Sequence, residues 1–213
     1  IIETLSHQNF ADMRRALDPN FRFTLARSLY KTILRYVNGN HSLACVVQPL
    51  PVSNFRIVRT ADNQLQLSWL PVTDRLEPSA VPTTYNIYIA EGKNGFDNGR
   101  SVSSTSFTFT PKPNVVYQFR VTAVNRGGES FPSTTLAACV SAQAGARDVL
   151  VVDGFTRFAG PAVVDDGTRQ GFDLDADMGV SLGVNAGFVG RQIDFDRTRA
   201  GLSLIHISEP TRL

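Results

Sequence analysis

Chemistry in this chain can be argued in one place near its start, where Ile2-Glu3-Thr4-Leu5 ends an apolar run in a carboxylate and Asn9 and Asp12 follow at the start of a helical pattern. A glutamate at the end of a short buried strand is held rigidly enough to act as a general base, and Asn9 is suited to cap the helix by accepting from its free backbone N–H groups. An ordinary helix-preceding glutamate fits the same residues, since a lone carboxylate does not define a site. A second acidic stretch, Asp173-Leu174-Asp175-Ala176-Asp177-Met178-Gly179, alternates its acids as a calcium loop does. Met178 and Val184 stand where an EF-hand requires glycine and a terminal acid, which favours an acidic surface loop. Cys45 and Cys139 permit at most one disulfide and make no zinc site by themselves.

The segment from Glu3 through Ser6-His7-Gln8-Asn9-Phe10-Ala11-Asp12 resembles the last catalytic motif of zinc-dependent N-acetylmuramoyl-L-alanine amidases. Leu5 and Ser6 stand where that family usually has Gly-Phe. The resemblance implies that Glu3 is catalytic, with Asn9 and Asp12 supporting the motif. It also implies a zinc ion whose ligands lie upstream of this segment, and peptidoglycan or another cell-surface polysaccharide as partner. Location would be extracytoplasmic: periplasmic, secreted or at the cell surface. Multidomain Bacteroidetes-like proteins, some labelled xanthan lyase, are similar over the same stretch and its continuation Asp18-Pro19-Asn20-Phe21.

Elements must position such a site. Asp18 is a natural N-cap, Pro19 suits the first helical position and Gly39 the C-terminal cap, so residues 18–38 are expected to be helical. Phe21, Leu25, Leu29, Ile33 and Val37 form an i, i+4 stripe that requires a packing partner. The expectation is a helical C-terminal piece of an α/β domain. Arg22, Arg27, Lys31 and Arg35 read as a solvated face. Gln48-Pro49-Leu50-Pro51 reads as a linker, after which the hydrophobic period changes from 3.6 to 2.

Alternating runs at 55–58, 65–69, 85–89, 107–109 and 117–124, separated by turn residues, predict a two-sheet β-sandwich. The segment resembles a fibronectin type III domain over nearly its whole length. Trp69 matches the core tryptophan of the second strand, Tyr85-Asn86-Ile87-Tyr88 the third strand, and Tyr117 the tyrosine corner of the sixth. Arg126-Gly127-Gly128-Glu129 occupies the loop that carries integrin ligands in some relatives, but it is not Arg-Gly-Asp, and a glycine-supported turn accounts for it.

The resulting division is a mixed multidomain fragment. Residues 1–46 are expected to end an amidase-like catalytic domain, 47–145 to form an all-β fibronectin type III sandwich, and 146–201 to open a third, truncated α/β or β domain. Asp148-Val149-Leu150-Val151-Val152-Asp153 reads as that third domain's first buried strand. Residues 202–213 resemble a translated sequencing adapter and are excluded from fold reasoning. The first residue is isoleucine, so the natural start is expected to be missing. Hydrophobic residues make up 42% and charged residues 19%, which excludes a disordered chain. Residues 1–46 hold six basic and three acidic side chains, 47–145 eight and six, and 146–201 six and nine, too evenly mixed for a nucleic-acid or anionic-membrane surface. Two functional classes stay open: a cell-wall hydrolase fragment, inactive by itself, and a non-enzymatic cell-surface or carbohydrate-binding module or accessory part of a polysaccharide lyase.

Overall fold

The computed structural model describes residues 2–152 and 159–179; the expected adapter segment 202–213 lies outside them. Two compact units partition the chain, Leu34–Val149 and the remainder, Ile1–Ile33 with Leu150–Leu213.

The larger unit is built on period-2 strands. β1 (Ser53–Arg59), β2 (Leu65–Leu70) and β5 (Ser106–Phe109) form one antiparallel sheet in the order β1-β2-β5. β4 (Arg100–Val102), β3 (Thr84–Glu91), β6 (Tyr117–Asn125) and β7 (Gly128–Glu129) form the other, and β8 (Leu136–Ala138) pairs with the far end of β6. Residues 65, 67 and 69 of β2, 85, 87 and 89 of β3, and 117, 119, 121 and 123 of β6 are buried, so the alternation read from the sequence is the alternation of the core. Trp69 meets Tyr85 edge-on at 5.4 Å between ring centroids, and Phe109 packs against Tyr117 at 4.8 Å and Phe119 at 5.4 Å.

β7 and β8 are the two ends of one strand interrupted at Phe131-Pro132-Ser133, where proline cannot donate to the ladder. Serine hydroxyls fill the gap. Ser130 Oγ accepts from Ala123 N at 2.9 Å and Ser133 Oγ from Val121 N at 3.0 Å, so β6 keeps its donors satisfied across the break. At the other end Lys112 N donates to the Tyr117 hydroxyl at 3.3 Å, which is the tyrosine corner expected from the sequence.

The segment read as a linker is part of this unit. Val47 and Pro49 are fully buried, and three contacts hold the strand-free strap 45–49 in place. Asn125 Nδ2 donates to Val47 O at 2.9 Å, Ser79 Oγ accepts from Val47 N at 3.1 Å, and a Cβ on Gly127 would lie 2.8 Å from the Val47 carbonyl carbon. Proline-rich composition marks a chain without ladder hydrogen bonds, not one free of tertiary contacts, and that corrects the linker reading.

α2 (Pro19–Asn40) starts as predicted, with Asp18 Oδ1 accepting from Asn20 N at 2.9 Å. It ends two residues beyond the expected stop. Gly39 stays in its last turn, and Ser42, at φ 54°, takes the left-handed position instead. Arg35 is exposed, as expected of the solvated face, and its guanidinium also pairs with Glu77 of the same unit at 2.6 Å.

In the smaller unit α1 (Phe10–Ala16) precedes α2, and β9 (Ala162–Asp165) pairs antiparallel with β10 (Gln170–Asp173). Phe10 packs on Phe172 with centroids 5.4 Å apart. Gly179 sits at φ +64° with a would-be Cβ 2.5 Å from Pro161 N, a site only glycine fits. The expected buried strand at 149–152 is not formed: these four apolar residues are exposed and pair with no strand among the described residues.

Candidate functional site

Around the N-terminal motif the structure brings Asn9 and Asp12 together. Asn9 is the N-cap of α1, its Oδ1 accepting from Ala11 N at 2.9 Å and Asp12 N at 3.3 Å. Asp12 turns back to accept from Ser6 N at 3.0 Å, and Ser6 Oγ accepts from Gln8 N at 3.3 Å. Residues 6–12 are thus a closed turn tied at both ends by side-chain oxygens.

Glu3 lies outside that turn, exposed and without a hydrogen-bond or ion-pair partner among the described residues. The buried strand expected to hold it is not formed: Ile2 is 62% exposed, and residues 2–5 pair with no strand among the described residues. Among the described residues no three His, Cys, Asp or Glu side chains gather as a metal site. Asp173, from the acidic stretch, spends its Oδ1 on Asp175 N at 3.2 Å and Ala176 N at 3.0 Å, which is a turn cap. Cys45 and Cys139 are both free thiols.

The sandwich carries two further surface features. At one end, Ile89, Glu91, Asp97, Arg100, Phe109 and Tyr117 help line an open depression of about 430 Å³. Lys112 closes its rim by pairing with Glu91 at 2.7 Å, and that hydrogen bond and charge hold the Lys112 ammonium above its ordinary range.

The second feature lies on the outward face of the larger sheet, where Glu129 of β7 collects donors from β3 and β6. Tyr88 Oη donates to its Oε1 at 2.6 Å and Asn86 Nδ2 at 3.3 Å, with the Thr122 hydroxyl donating as well. Partial burial alone would raise the Glu129 carboxyl, but the Thr122, Tyr88 and Asn86 hydrogen bonds and the Arg120 charge together hold it below the usual carboxylate value. Burial, and then the bond to Glu129, push the Tyr88 phenol up. Glu129 is thereby accounted for within the sheet, and Gly127 by its close approach to Val46 and Val47, so Arg126-Gly127-Gly128-Glu129 is a structural turn.

Residues 50–138 match the family model described as the fibronectin type III domain. The two-sheet sandwich, the core Trp69 and the Tyr117 corner agree with that match. Residues 50–138 are a fibronectin type III domain. Solved structures similar to this stretch include the twitchin kinase region from C. elegans, at 23% identity and a TM-score of 0.39 over 44% of this chain. Others are a fourth fibronectin type III domain from human, at 22% identity and a TM-score of 0.41 over 50% of this chain and 90% of that one, and the FN5 domain of Drosophila Lar, at 19%, 0.34, 45% and 99%. The chain spans 17% of the twitchin region it matches. No curated protein matches the sequence. No helix among the described residues is long and apolar enough to cross a membrane.

Proposed function

We propose that this chain is part of a bacterial cell-wall hydrolase that cleaves the amide between N-acetylmuramic acid and L-alanine in peptidoglycan. Its fibronectin type III domain is a spacer and accessory module. Glu3 is the base that takes a proton from the attacking water, and Asn9 and Asp12 fix the turn behind it. The protein works outside the cytoplasm, on peptidoglycan.

The observation that carries this reading is the closed turn at residues 6–12. Both motif-supporting residues, Asn9 and Asp12, are engaged in holding the chain that runs from Glu3 into α1. A second reading, a non-enzymatic cell-surface or carbohydrate-binding module or an accessory part of a polysaccharide lyase, is favoured by the exposure of Glu3.

Incubating the intact gene product with purified peptidoglycan separates them. The amidase reading expects soluble stem peptides with free L-alanine amino ends. Cosedimentation with the cell wall and no release of peptide would favour the binding module. The 213-residue chain by itself is expected to release none.

A further inference from the structure

We propose that Arg120 anchors a carboxylate-binding site on the outward face of the larger sheet of the fibronectin type III domain, taking an acidic side chain of a peptide. The inference does not depend on the amidase reading.

Arg120 stands directly opposite Tyr88 across β6 and β3, and both face away from the core because their neighbours Ile87, Ile89, Phe119 and Val121 fill it. Its guanidinium carbon lies 4.2 Å from the Phe96 ring centroid and 5.2 Å from that of Tyr88. Both rings are themselves fixed. Tyr88 is tied through its hydroxyl to Glu129, and Gly99, with no side chain, leaves the space its ring edge occupies: a Cβ there would lie 2.9 Å from Tyr88 Cε1. Beside Phe96, Asp97 closes the loop onto β3, its Oδ1 accepting from Ile89 N at 3.0 Å and Gly99 N at 3.1 Å.

With aromatic rings fixing the guanidinium plane, its inner edge is dry: Nε is buried with no hydrogen-bond partner. Among the described residues neither a hydrogen bond nor an ion pair occupies the two terminal Nη groups. They form an open fork whose orientation is already set, so a ligand does not have to order it on binding. A dry, unpaired N–H is a cost that a freely pivoting surface arginine avoids by turning to water.

The fork's geometry matches a planar two-oxygen anion. Glu129 lies close enough for the Arg120 charge to act on it. That negative neighbour disfavours a dianionic phosphate more than a monoanionic carboxylate. The Phe96 and Tyr88 rings against the guanidinium supply apolar surface that suits the short aliphatic stem carrying a glutamate carboxylate.

The test is an NMR titration of the isotope-labelled 213-residue chain with N-acetylglutamate α-amide, its glutamine counterpart and inorganic phosphate. The site predicts saturable shifts at Arg120 and Tyr88 with the glutamate compound, half-saturating in the millimolar range expected of one charge-assisted pair. The glutamine counterpart should give no saturable response. Arg120→Lys should weaken binding by about fivefold or more, since a point charge replaces the fork. Glu129→Gln, which removes the repelling charge and leaves the arginine in place, should tighten it by about twofold. Equal responses to the glutamate and glutamine compounds, no saturable response to either, or stronger binding of phosphate would each overturn the proposal. So would an Arg120→Lys chain that melts as the parent does and keeps its affinity.

Discussion

Replacing Asn125 with alanine tests the reading that the strap 45–49 belongs to the sandwich. The two amide protons of Asn125 serve three carbonyls, Val47 at 2.9 Å, Ser79 at 3.1 Å and Val81 at 3.3 Å, and its Oδ1 accepts from Gly127 N at 2.8 Å. Two protons make two full bonds however they are shared, and the Gly127 bond makes a third. At about 1 kcal/mol net per bond, with some further cost for groups left dry, the loss should be about 3–4 kcal/mol. That is a large share of a stability of roughly 5–15 kcal/mol for a domain of ordinary size. Asn125→Asp should cost at least as much at neutral pH, because it turns a carboxylate oxygen toward carbonyl oxygens. Urea unfolding followed by fluorescence reads this directly, since Trp69 is the single tryptophan and is 2% exposed. A loss below about 1 kcal/mol in Asn125→Ala would mean that water replaces the side chain at little cost, refuting the claim that this hub fastens the strap.

Two further outcomes are expected. Gly127→Ala should destabilise by about 1–3 kcal/mol or more, because the added methyl meets the backbone of Val46 and Val47 rather than a side chain able to move; differential scanning calorimetry would record it as a lower melting temperature. Glu129 has a folded-state pKa below its unfolded value near 4.5, so its contribution is present above that value and is lost as pH falls through the lower folded-state pKa. Urea midpoints measured from pH 7 down to pH 3 should therefore fall less steeply in Glu129→Gln than in the parent.

The long strands were legible because burial on one face forces period-2 alternation, and Trp69, Tyr85, Tyr117 and Phe119 sit where that alternation puts them. β4, β7 and β8 are two or three residues long and carry no period of their own; only the serines flanking Pro132 hint that a broken strand passes there. Tertiary partners decided the rest. Arg35 is exposed as its pattern suggests, but its pairing with Glu77, 42 residues away, carries no local signal, and the strap 45–49 looks like linker until Gly127 and Asn125 are placed against Val47. The Arg120, Tyr88 and Phe96 stack depends on the register of β3 against β6, which no local pattern specifies. At the N-terminus Asn9 as a helix cap could be read from residue type, whereas the strand expected to hold Glu3 is not formed, since a strand depends on pairing that local sequence does not supply.

The most direct test of the functional account is Glu3→Gln in the intact gene product, with amide cleavage in peptidoglycan, bound metal and melting temperature measured on the same pair of proteins. Glutamine keeps the size and hydrogen-bonding reach of glutamate but cannot take a proton. The account predicts cleavage reduced by about two to four orders of magnitude with metal content and melting temperature unchanged. A variant that cleaves at the parent rate would contradict it and leave Glu3 an ordinary residue ahead of a capped helix.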